Sequence, residues 1–414
     1  MARPIDLAPA GVDPAGGPSG GTGDQHQVAA VSSTPCGVER AVGAAQHLTG
    51  TTTQHESSQK ETTGPGQQDR VPLYGAVDLG TNNCRLLVAY PSRQGFRVVD
   101  AFSRIIRLGE GVSQSRRLSD AAIERTIEAL KVCATKMANR GVKRSRAIAT
   151  EACRIAENGE SFLDRVEEET GLRLEIVSRE TEARLAVSGC ASLLDPGCEG
   201  ALIFDIGGGS SEIALLELKP GRRCCPLLAQ ECIRAWTSLP VGVVTLAEHF
   251  GGVHVTRDIF EKMVAHVRGM LEPFEKQFNV SKHLCGRNTH LLGTSGTVTT
   301  IAGIHMELRR YDRSRVDGCW LTAEQASEVT DRLVDMSYDE RVANPCIGVD
   351  RADLVLAGCA ILEAINRQWP CARLRVADRG LREGILATLM AEDGVLNRNR
   401  RRRNHLSRRR RNQY

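Results

Sequence analysis

Residues 202–216 read LIFDIGGGSSEIALL, an apolar strand that runs through an acidic residue and three glycines into a second apolar strand. Glycines allow a tight turn whose backbone N–H groups converge on one anion, and a carboxylate at a strand end suits a hydrated divalent cation. Residues 74–89 repeat the arrangement as YGAVDLGTNNCRLLVA. The two copies predict duplicated halves that bind one phosphorylated ligand between them.

Apolar periodicity beyond these turns predicts strands that alternate with helices, which is typical of an α/β fold with a mixed sheet. In the first half it predicts strands at 74–78, 85–90, 96–101, 145–150 and 173–178, and helices from Ser119 to Gly141, at 160–170 and at 180–190. In the second half it predicts strands at 201–206, 212–218, 228–236, 290–293 and 373–377, and helices at 257–278, 298–308, 322–336, 352–368 and 381–391.

Composition predicts where the folded part begins and ends. Residues 1–70 are rich in Gly, Pro, Ser, Thr and Gln. This composition predicts a disordered extension, because the segment buries too little apolar surface to offset the entropy of ordering. Residues 71–183 and 184–380 are expected to form domains I and II, with a final helix at 381–392 that packs back on domain I. Residues 393–414 are expected to form a flexible, arginine-rich tail.

The positive charge of the chain is concentrated in that tail. Residues 398–411 contain nine arginines and no acid, and subtracting them from the formal net charge of +4 leaves −5 for the rest. Dense positive charge attracts polyanions in a salt-dependent way. We therefore expect weak contact of the tail with RNA or another polyanion, with a solvated, disordered end as the alternative.

Cysteine usage and hydropathy indicate the compartment. The 14 cysteines lack paired C-x-x-C spacing, and no apolar run approaches the roughly 20 residues that a membrane span needs. We expect a cytoplasmic protein with reduced thiols and no membrane contact. His283, Cys285 and His290 have a spacing that fits no zinc motif, so a zinc site is not expected there.

The two turns supply most of the candidate site residues. Asp78, Asp205 and Glu212 are the candidate ligands of Mg²⁺. An aspartate that bonds its own turn is the alternative for Asp78, and a glycine-rich hairpin with no ligand is the alternative for the second turn. The candidate phosphate-binding residues of the turns are Gly80, Thr81, Asn82, Gly207, Gly208, Gly209 and Ser210.

Three further segments carry candidate residues. Ser295, Gly296 and Thr297 join a predicted strand to a helix, where free N–H groups bind anions or an ordinary N-cap forms. Glu182, at the start of a helix, has a side chain that can polarise an attacking water. Arg154 can bind phosphate with its planar guanidinium. The local sequence by itself favours other roles. Glu182 would then be a favourable acid in the first turn of a helix, and Arg154 a solvated side chain.

Eight segments, taken in order, resemble the exopolyphosphatase/guanosine pentaphosphate phosphohydrolase (Ppx/GppA) family. They span about residues 73–391 and read AVDLGTNNCRLLV, IATEACRIAENG, EIVSRETEARLA, IFDIGGGSSEIALL, SLPVGVVTLAEHF, GTSGTVTTIAG, RADLVLAGCAILEAI and ADRGLREGIL. The resemblance implies the actin-like, sugar kinase and Hsp70 ATPase fold, with two ribonuclease-H-like domains and a cleft between them.

The resemblance also implies an activity and roles for residues. The activity is Mg²⁺-dependent removal of the terminal phosphate from inorganic polyphosphate or guanosine pentaphosphate. In the family's pattern Glu182 is the catalytic base and Arg154 a phosphate ligand. Cleft residues in that pattern are Asp78, Asn82, Asp205, Gly207, Ser210 and Glu212. Relatives more often carry Asn-Glu or Glu-Glu where this chain has Glu180 and Thr181.

The resemblance further implies a homodimer and the short family form, which puts high processivity on long polymers in doubt. Two alternative functions remain open at this point. One is an ATPase or kinase of the same fold, and the other is a non-catalytic sensor of polyphosphate or guanosine alarmones. The sequence does not decide between the two candidate substrates.

Overall fold

The structure is a computed structural model, and it describes residues 71–92, 95–221 and 224–396. The predicted disordered extension and the arginines of the predicted tail lie outside the described residues. Among the described residues, no helix combines the length and the apolar character needed to cross a bilayer.

The first sheet contains five strands in the order β3-β2-β1-β4-β5. Strands β1, β2 and β3 form an antiparallel meander, and β4 and β5 follow in parallel on the other side of β1. Their bounds are β1 Tyr74–Leu79, β2 Asn83–Ser92, β3 Gly95–Ile105, β4 Arg144–Ala149 and β5 Leu174–Ile176.

The second sheet repeats this topology and adds one edge strand. Its six strands lie in the order β8-β7-β6-β9-β11-β10, with an antiparallel meander β6-β7-β8 and parallel β9 and β11 beyond β6. Their bounds are β6 Gly200–Ile206, β7 Ser211–Glu217, β8 Ile233–Leu239, β9 Thr289–Thr294, β10 Trp320–Thr322 and β11 Arg373–Ala377. The predicted duplication is therefore confirmed in the backbone.

Helices alternate with the strands along the chain. Several of them begin at a residue whose side chain caps the first turn. Ser119, for example, accepts a hydrogen bond from Ala122 N at the start of the second helix. Helices of the first half are α1 Val112–Ser115, α2 Asp120–Arg140, α3 Glu151–Ile155, α4 Gly159–Thr170 and α5 Arg179–Cys190. Those of the second half are α6 Pro226–Glu231, α7 Val243–Phe250, α8 Arg257–Phe278, α9 Val280–Leu284, α10 Gly296–His305, α11 Arg313–Val316, α12 Ala323–Asp335, α13 Tyr338–Ala343, α14 Val355–Gln368 and α15 Leu381–Glu392.

Helix α5 packs against both sheets. Leu185 and Ala186 belong to a buried cluster with β1, β2 and α15, whereas Val187 and Cys190 belong to one with β6 and β7. Helix α15 buries its apolar side chains in the first of these clusters. The expected boundary between residues 183 and 184 therefore lies inside a continuous helix that joins the two halves.

The prediction of a strand at 228–236 is partly wrong. Residues 226–231 form α6, and the strand β8 begins only at Ile233. Pro226 occupies the first turn of α6, where its fixed φ and missing N–H favour a helix start. The helices α7 and α13 were not predicted, because at 8 and 6 residues they are too short to show a periodic pattern.

Candidate active site

The two glycine-containing turns meet at one cavity of about 140 Å³. Asp78 and Asp205, which come from different sheets, both line it. Glu182 and Glu212 line the same cavity, as do the backbone of both turns and the start of α10. The structure therefore brings together all the candidate metal ligands and the candidate base.

The two turns have the same backbone design. Gly80 N donates to Asn83 O and Gly207 N donates to Ser210 O, both at 2.9 Å. In the first turn the carbonyl of Thr81 accepts from Gly109 N at 2.8 Å, and in the second the carbonyl of Gly207 accepts from Val243 N at 2.9 Å. Each turn is thus held from behind by N–H groups of a neighbouring segment.

The inner N–H groups of the turns are available to a ligand. Among the described residues, the backbone N–H groups of Thr81, Asn82, Gly208 and Gly209 have no hydrogen-bond acceptor. Converging, unpaired backbone N–H groups form a site for an anion such as phosphate.

The turns also pack against each other, which explains two of the three glycines. A Cβ added to Gly208 would lie 2.8 Å from Thr81 Cβ, and one added to Gly209 would lie 2.8 Å from Thr81 Oγ1. Cβ contacts below 3 Å require a neighbouring group to move. The second turn therefore lacks side chains at these positions because the first turn occupies the space.

The carboxylates of the cavity raise one another's pKa. Burial, with the nearby charges of Glu182 and Asp78, raises the pKa of Asp205 to about 8. Burial and the charge of Asp205 raise the pKa of Glu212 to about 7, against two hydrogen bonds at 2.8 Å from Ser210 Oγ and Ser238 Oγ. Burial also raises the pKa of Asp78. A bound cation would relieve this mutual repulsion.

The donor set fits a hydrated Mg²⁺ ion. Mg²⁺ prefers oxygen ligands and takes one or two carboxylates together with water and phosphate oxygens. Besides the carboxylates, Asn82 Oδ1 and Asn83 Oδ1 are buried acceptors that have no hydrogen-bond donor. Among the described residues, no three Asp, Glu, His or Cys side chains converge as a metal-binding group. Any Mg²⁺ ion held here would therefore contact some of Asp78, Asp205 and Glu212 through water.

Glu182 lies in the first turn of α5, where Ser178 Oγ caps the helix by accepting from Thr181 N at 3.2 Å. Its side chain is almost fully buried, and its Oε2 accepts a hydrogen bond from Arg154 Nη2 at 2.8 Å. Burial and the charge of Glu212 raise the pKa of Glu182 well above its usual range, and Arg154 opposes that shift. A carboxylate with a raised pKa at a cavity wall suits general-base chemistry.

Arg154 does not line the cavity. Its Nε and Nη2 donate to Val177 O at 3.1 and 2.9 Å, and its Nη1 donates to Glu151. With the bond to Glu182, most of its guanidinium donors are occupied by the protein. The local expectation of a solvated arginine is therefore wrong, and a phosphate contact of Arg154 stays a prediction.

Ser295 caps α10 by accepting from Val298 N at 3.1 Å, so the N-cap alternative is confirmed. Ser295, Gly296 and Thr297 nevertheless line the cavity, which places the positive end of the α10 dipole there. The segment therefore caps its helix and also lines the cavity, and the binding of an anion by it stays a prediction.

Three charged residues of the cavity were not predicted from the sequence, and they are Arg85, Glu151 and Arg351. Arg85 and Arg351 have no ion-pair partner among the described residues, whereas Glu151 is ion-paired on both oxygens. Arg85 is a charged residue at the start of the apolar strand β2, directly after the first turn, and this position could have pointed to it. The other two follow a strand or precede a helix, where the local sequence carries no comparable signal.

Comparison with known proteins identifies the family. The sequence profile of the Ppx/GppA phosphatase family matches residues 87–393. The chain belongs to this family. Among curated proteins, a guanosine-5'-triphosphate,3'-diphosphate pyrophosphatase of Aeromonas salmonicida is 28% identical over 323 residues, which are 78% of this chain and 60% of that protein. The chain thus spans about 60% of the length of the curated relative that it matches.

Solved structures agree with the family and the fold. The Ppx/GppA family member of Aquifex aeolicus has 29% identity and a TM-score of 0.63, with 78% of this chain and 99% of that chain covered. An exopolyphosphatase of Cytophaga hutchinsonii, at 23% identity and a TM-score of 0.68, covers 77% of this chain and 98% of that chain and supports the fold alone. The fold is the actin-like ATPase fold of two domains, as the resemblance implied.

Proposed function

We propose that this Ppx/GppA protein hydrolyses the terminal phosphate of inorganic polyphosphate or guanosine pentaphosphate in a Mg²⁺-dependent reaction. The observation that carries the proposal is that the buried carboxylate of Glu182 and the unpaired N–H groups of Gly208 and Gly209 line one cavity. The name of the Aeromonas salmonicida relative, a pyrophosphatase of guanosine-5'-triphosphate,3'-diphosphate, supports the same class of chemistry.

The terminal phosphate would bind to the unpaired N–H groups of the two turns and to the start of α10. Such groups hold an anion at fixed positions, so they bind the transferring phosphoryl group without costly reorganisation. Thr81 and Gly209 lie on opposite turns that touch, so their unpaired N–H groups would approach one phosphate from different turns.

The remaining phosphates have a second, adjoining space. A cavity of about 410 Å³ shares Asp78, Arg85 and Arg351 with the first and adds Arg382 and Tyr311. Among the described residues Arg85, Arg351 and Arg382 make no ion pair, whereas most surface arginines beside acids do. Unpaired guanidinium groups at the junction of two cavities favour a substrate that carries several phosphates.

When bound near Asp78, Asp205 and Glu212, Mg²⁺ would neutralise the negative charge of the phosphoryl oxygens. Ser210 and Ser238 hold Glu212 in place through its Oε1. Phosphoryl transfer depends mainly on positioning and charge stabilisation, and these residues supply both.

Glu182 would orient the attacking water and accept its proton. Its carboxylate is held at the cavity wall by Arg154 and by the first turn of α5, so its orientation is set before substrate binds. A general base typically contributes a factor of about 10² to 10⁴ in rate.

The proposal is tested by phosphate release from long polyphosphate, short polyphosphate, guanosine pentaphosphate and ATP, each with Mg²⁺ and with EDTA. We expect Mg²⁺-dependent release from at least one of the first three and little from ATP. Release from ATP alone would favour the ATPase alternative, and tight binding without release from any substrate would favour the sensor.

Glu182→Gln tests the assigned base. We expect a fall in turnover of about 10³-fold with substrate affinity retained, because the amide keeps the shape of the side chain but cannot accept the proton. Glu180→Gln, two residues away with a half-exposed side chain, is the control. Normal turnover of Glu182→Gln would remove Glu182 from this role.

The homodimer and the cytoplasmic location stay predictions. The arginine-rich tail lies outside the described residues, and we propose that it binds polyanions weakly and without sequence preference. Deletion of residues 397–414 is expected to reduce affinity for polyphosphate at low salt, because fewer counterions are then released. Unchanged affinity at low salt would contradict this.

A further inference from the structure

Glu151 is a buried carboxylate at the cavity wall that the proposed mechanism does not use. It is the first residue of α3, directly after β4, and its side chain is only 5% exposed. It lies beside the second turn, since a Cβ added to Gly209 would be 3.1 Å from Glu151 Cγ. The helix start at Ser295, which follows β9 in the second half, carries no acid in its first turn.

Both oxygens of Glu151 are bound by arginines. Its Oε1 accepts from Arg179 Nη2 at 2.8 Å, and its Oε2 accepts from Arg179 Nε at 3.3 Å and from Arg154 Nη1. Arg179 is the first residue of α5, the helix that carries Glu182. Glu151 therefore joins Arg154 to the start of that helix.

Arg154 needs this contact to keep one orientation. One edge of its guanidinium donates to Val177 O, while Nη2 also donates to Glu182 Oε2 at 2.8 Å. Val177 O and Glu182 therefore bind the Nε–Nη2 edge of the planar group. The bond from Nη1 to Glu151 holds the opposite side of the guanidinium, so it limits rotation of the group about that edge.

We propose that Glu151 is a positioning residue for the reaction, which holds Arg154 so that Arg154 orients Glu182 toward the attacking water. This inference rests on the function proposed above. Glu151 acts through Arg154, so its effect is expected on turnover and not on substrate binding.

Glu151→Gln tests the inference with an isosteric change. The amide has one acceptor oxygen, so it cannot hold both arginines as the carboxylate does. We expect kcat to fall about 10- to 100-fold with KM changed less than about twofold. Glu175→Gln is the matched control, because Glu175 is also ion-paired to an arginine in the first sheet but has a 56% exposed side chain. Its kcat is expected to stay that of the wild type.

A double-mutant cycle separates this role from the alternatives. In an Arg154→Met background, Glu151→Gln is expected to change kcat less than about twofold, because the residue through which it acts is gone. If the two substitutions reduce kcat by factors that multiply, the inference is overturned, since Glu151 would then act independently of Arg154. A rise in KM at constant kcat would also overturn it, because Glu151 would then contribute to substrate binding.

A crystal structure of Glu151→Gln tests the inference without any activity. We expect Arg154 Nη2 to move beyond hydrogen-bond distance of Glu182 Oε2, and an unchanged Arg154 would overturn the proposal. Should the wild-type protein release no phosphate from any substrate, the proposed function fails. The crystal structure of the variant still decides whether Glu151 holds Arg154.

Discussion

The turn at residues 78–83 and the turn at residues 205–212 have one backbone design but different side chains. The first carries Thr81, Asn82 and Asn83 into the cavity, while the second carries Gly208 and Gly209 at the point of closest approach. A duplicated backbone brought face to face cannot keep bulky residues on both sides. One turn therefore supplies side chains, and the other supplies the space for them.

The segments that hold the two turns in place also differ between the halves. The first turn is held by a loop at residues 106–111, and the second by the start of α7. These two supporting segments are hydrogen-bonded to each other, because Glu248 of α7 accepts from Gly111 N at 2.7 Å and from Ser113 Oγ. We call these two bonds of Glu248 the clasp. The geometry of either turn thus depends on the other half of the molecule.

Substitution of alanine for Gly208 and for Gly80 is the strongest test of the difference between the two turns. Gly208→Ala is expected to lower phosphate release at least 100-fold, because its Cβ would lie 2.8 Å from Thr81 Cβ and 3.2 Å from Asn82 N. Gly80→Ala is expected to cost less than about threefold, since the nearest atom to its Cβ is Asn83 O at 3.5 Å. Steady-state assays and melting temperatures check both variants, and equal losses would show that the close approach of Gly208 to Thr81 does not decide the effect.

Removal of the clasp is expected to have a smaller effect. Glu248→Ala loses two hydrogen bonds between the halves, so we expect KM to rise about fivefold and stability to fall by about 1–3 kcal/mol. Glu110→Ala is the control, because Glu110 lies in the same loop and its one ion pair within the described part of the chain is with Arg125, at 3.7 Å. An unchanged KM in Glu248→Ala would mean that the clasp does not affect substrate binding.

The remaining expected effect is on the pH dependence of stability. Because the pKa of Asp205 is raised to about 8, the folded metal-free protein keeps a proton that the unfolded chain releases near pH 4. Stability is therefore full below about pH 4 and is lost as pH rises toward 8, by up to about 1.4 kcal/mol per pH unit for each such proton. Urea unfolding in EDTA between pH 5 and pH 8 measures the slope.

Asp205→Asn is expected to flatten that slope, and added Mg²⁺ is expected to do the same in the wild type. Asp78→Asn is expected to act in the same direction, because burial raises the pKa of Asp78 as well. Glu217→Gln, with a half-exposed side chain at the end of β7, serves as the control. A flat profile of the metal-free wild type would contradict the proposed repulsion within the cavity.

Local patterns were sufficient for the duplicated strands and for the positions of Asp78 and Asp205. They failed at α6, where a run of apolar residues and cysteines is ambiguous between helix and strand. They also failed at Arg351 and Glu151, whose position at the cavity depends on contacts between distant segments. The local interpretation of Arg154 as solvated was wrong for the same reason, since its partner Val177 O lies 23 positions away.

The sequence by itself determined the strand–turn–strand units, because glycine and a strand-end carboxylate act within a few residues of chain. It also determined the family, through an ordered set of short motifs. Only the tertiary structure decided that Thr81 fills the space left by Gly208 and Gly209, and that Arg154 binds Glu182 with Glu151 behind it. The contact of Thr81 with the second turn and the bond from Arg154 to Glu182 join residues far apart in the chain, so they depend on how the elements pack. Glu151 and Arg154 are three residues apart on one helix, but their place beside Glu182 depends on the same packing.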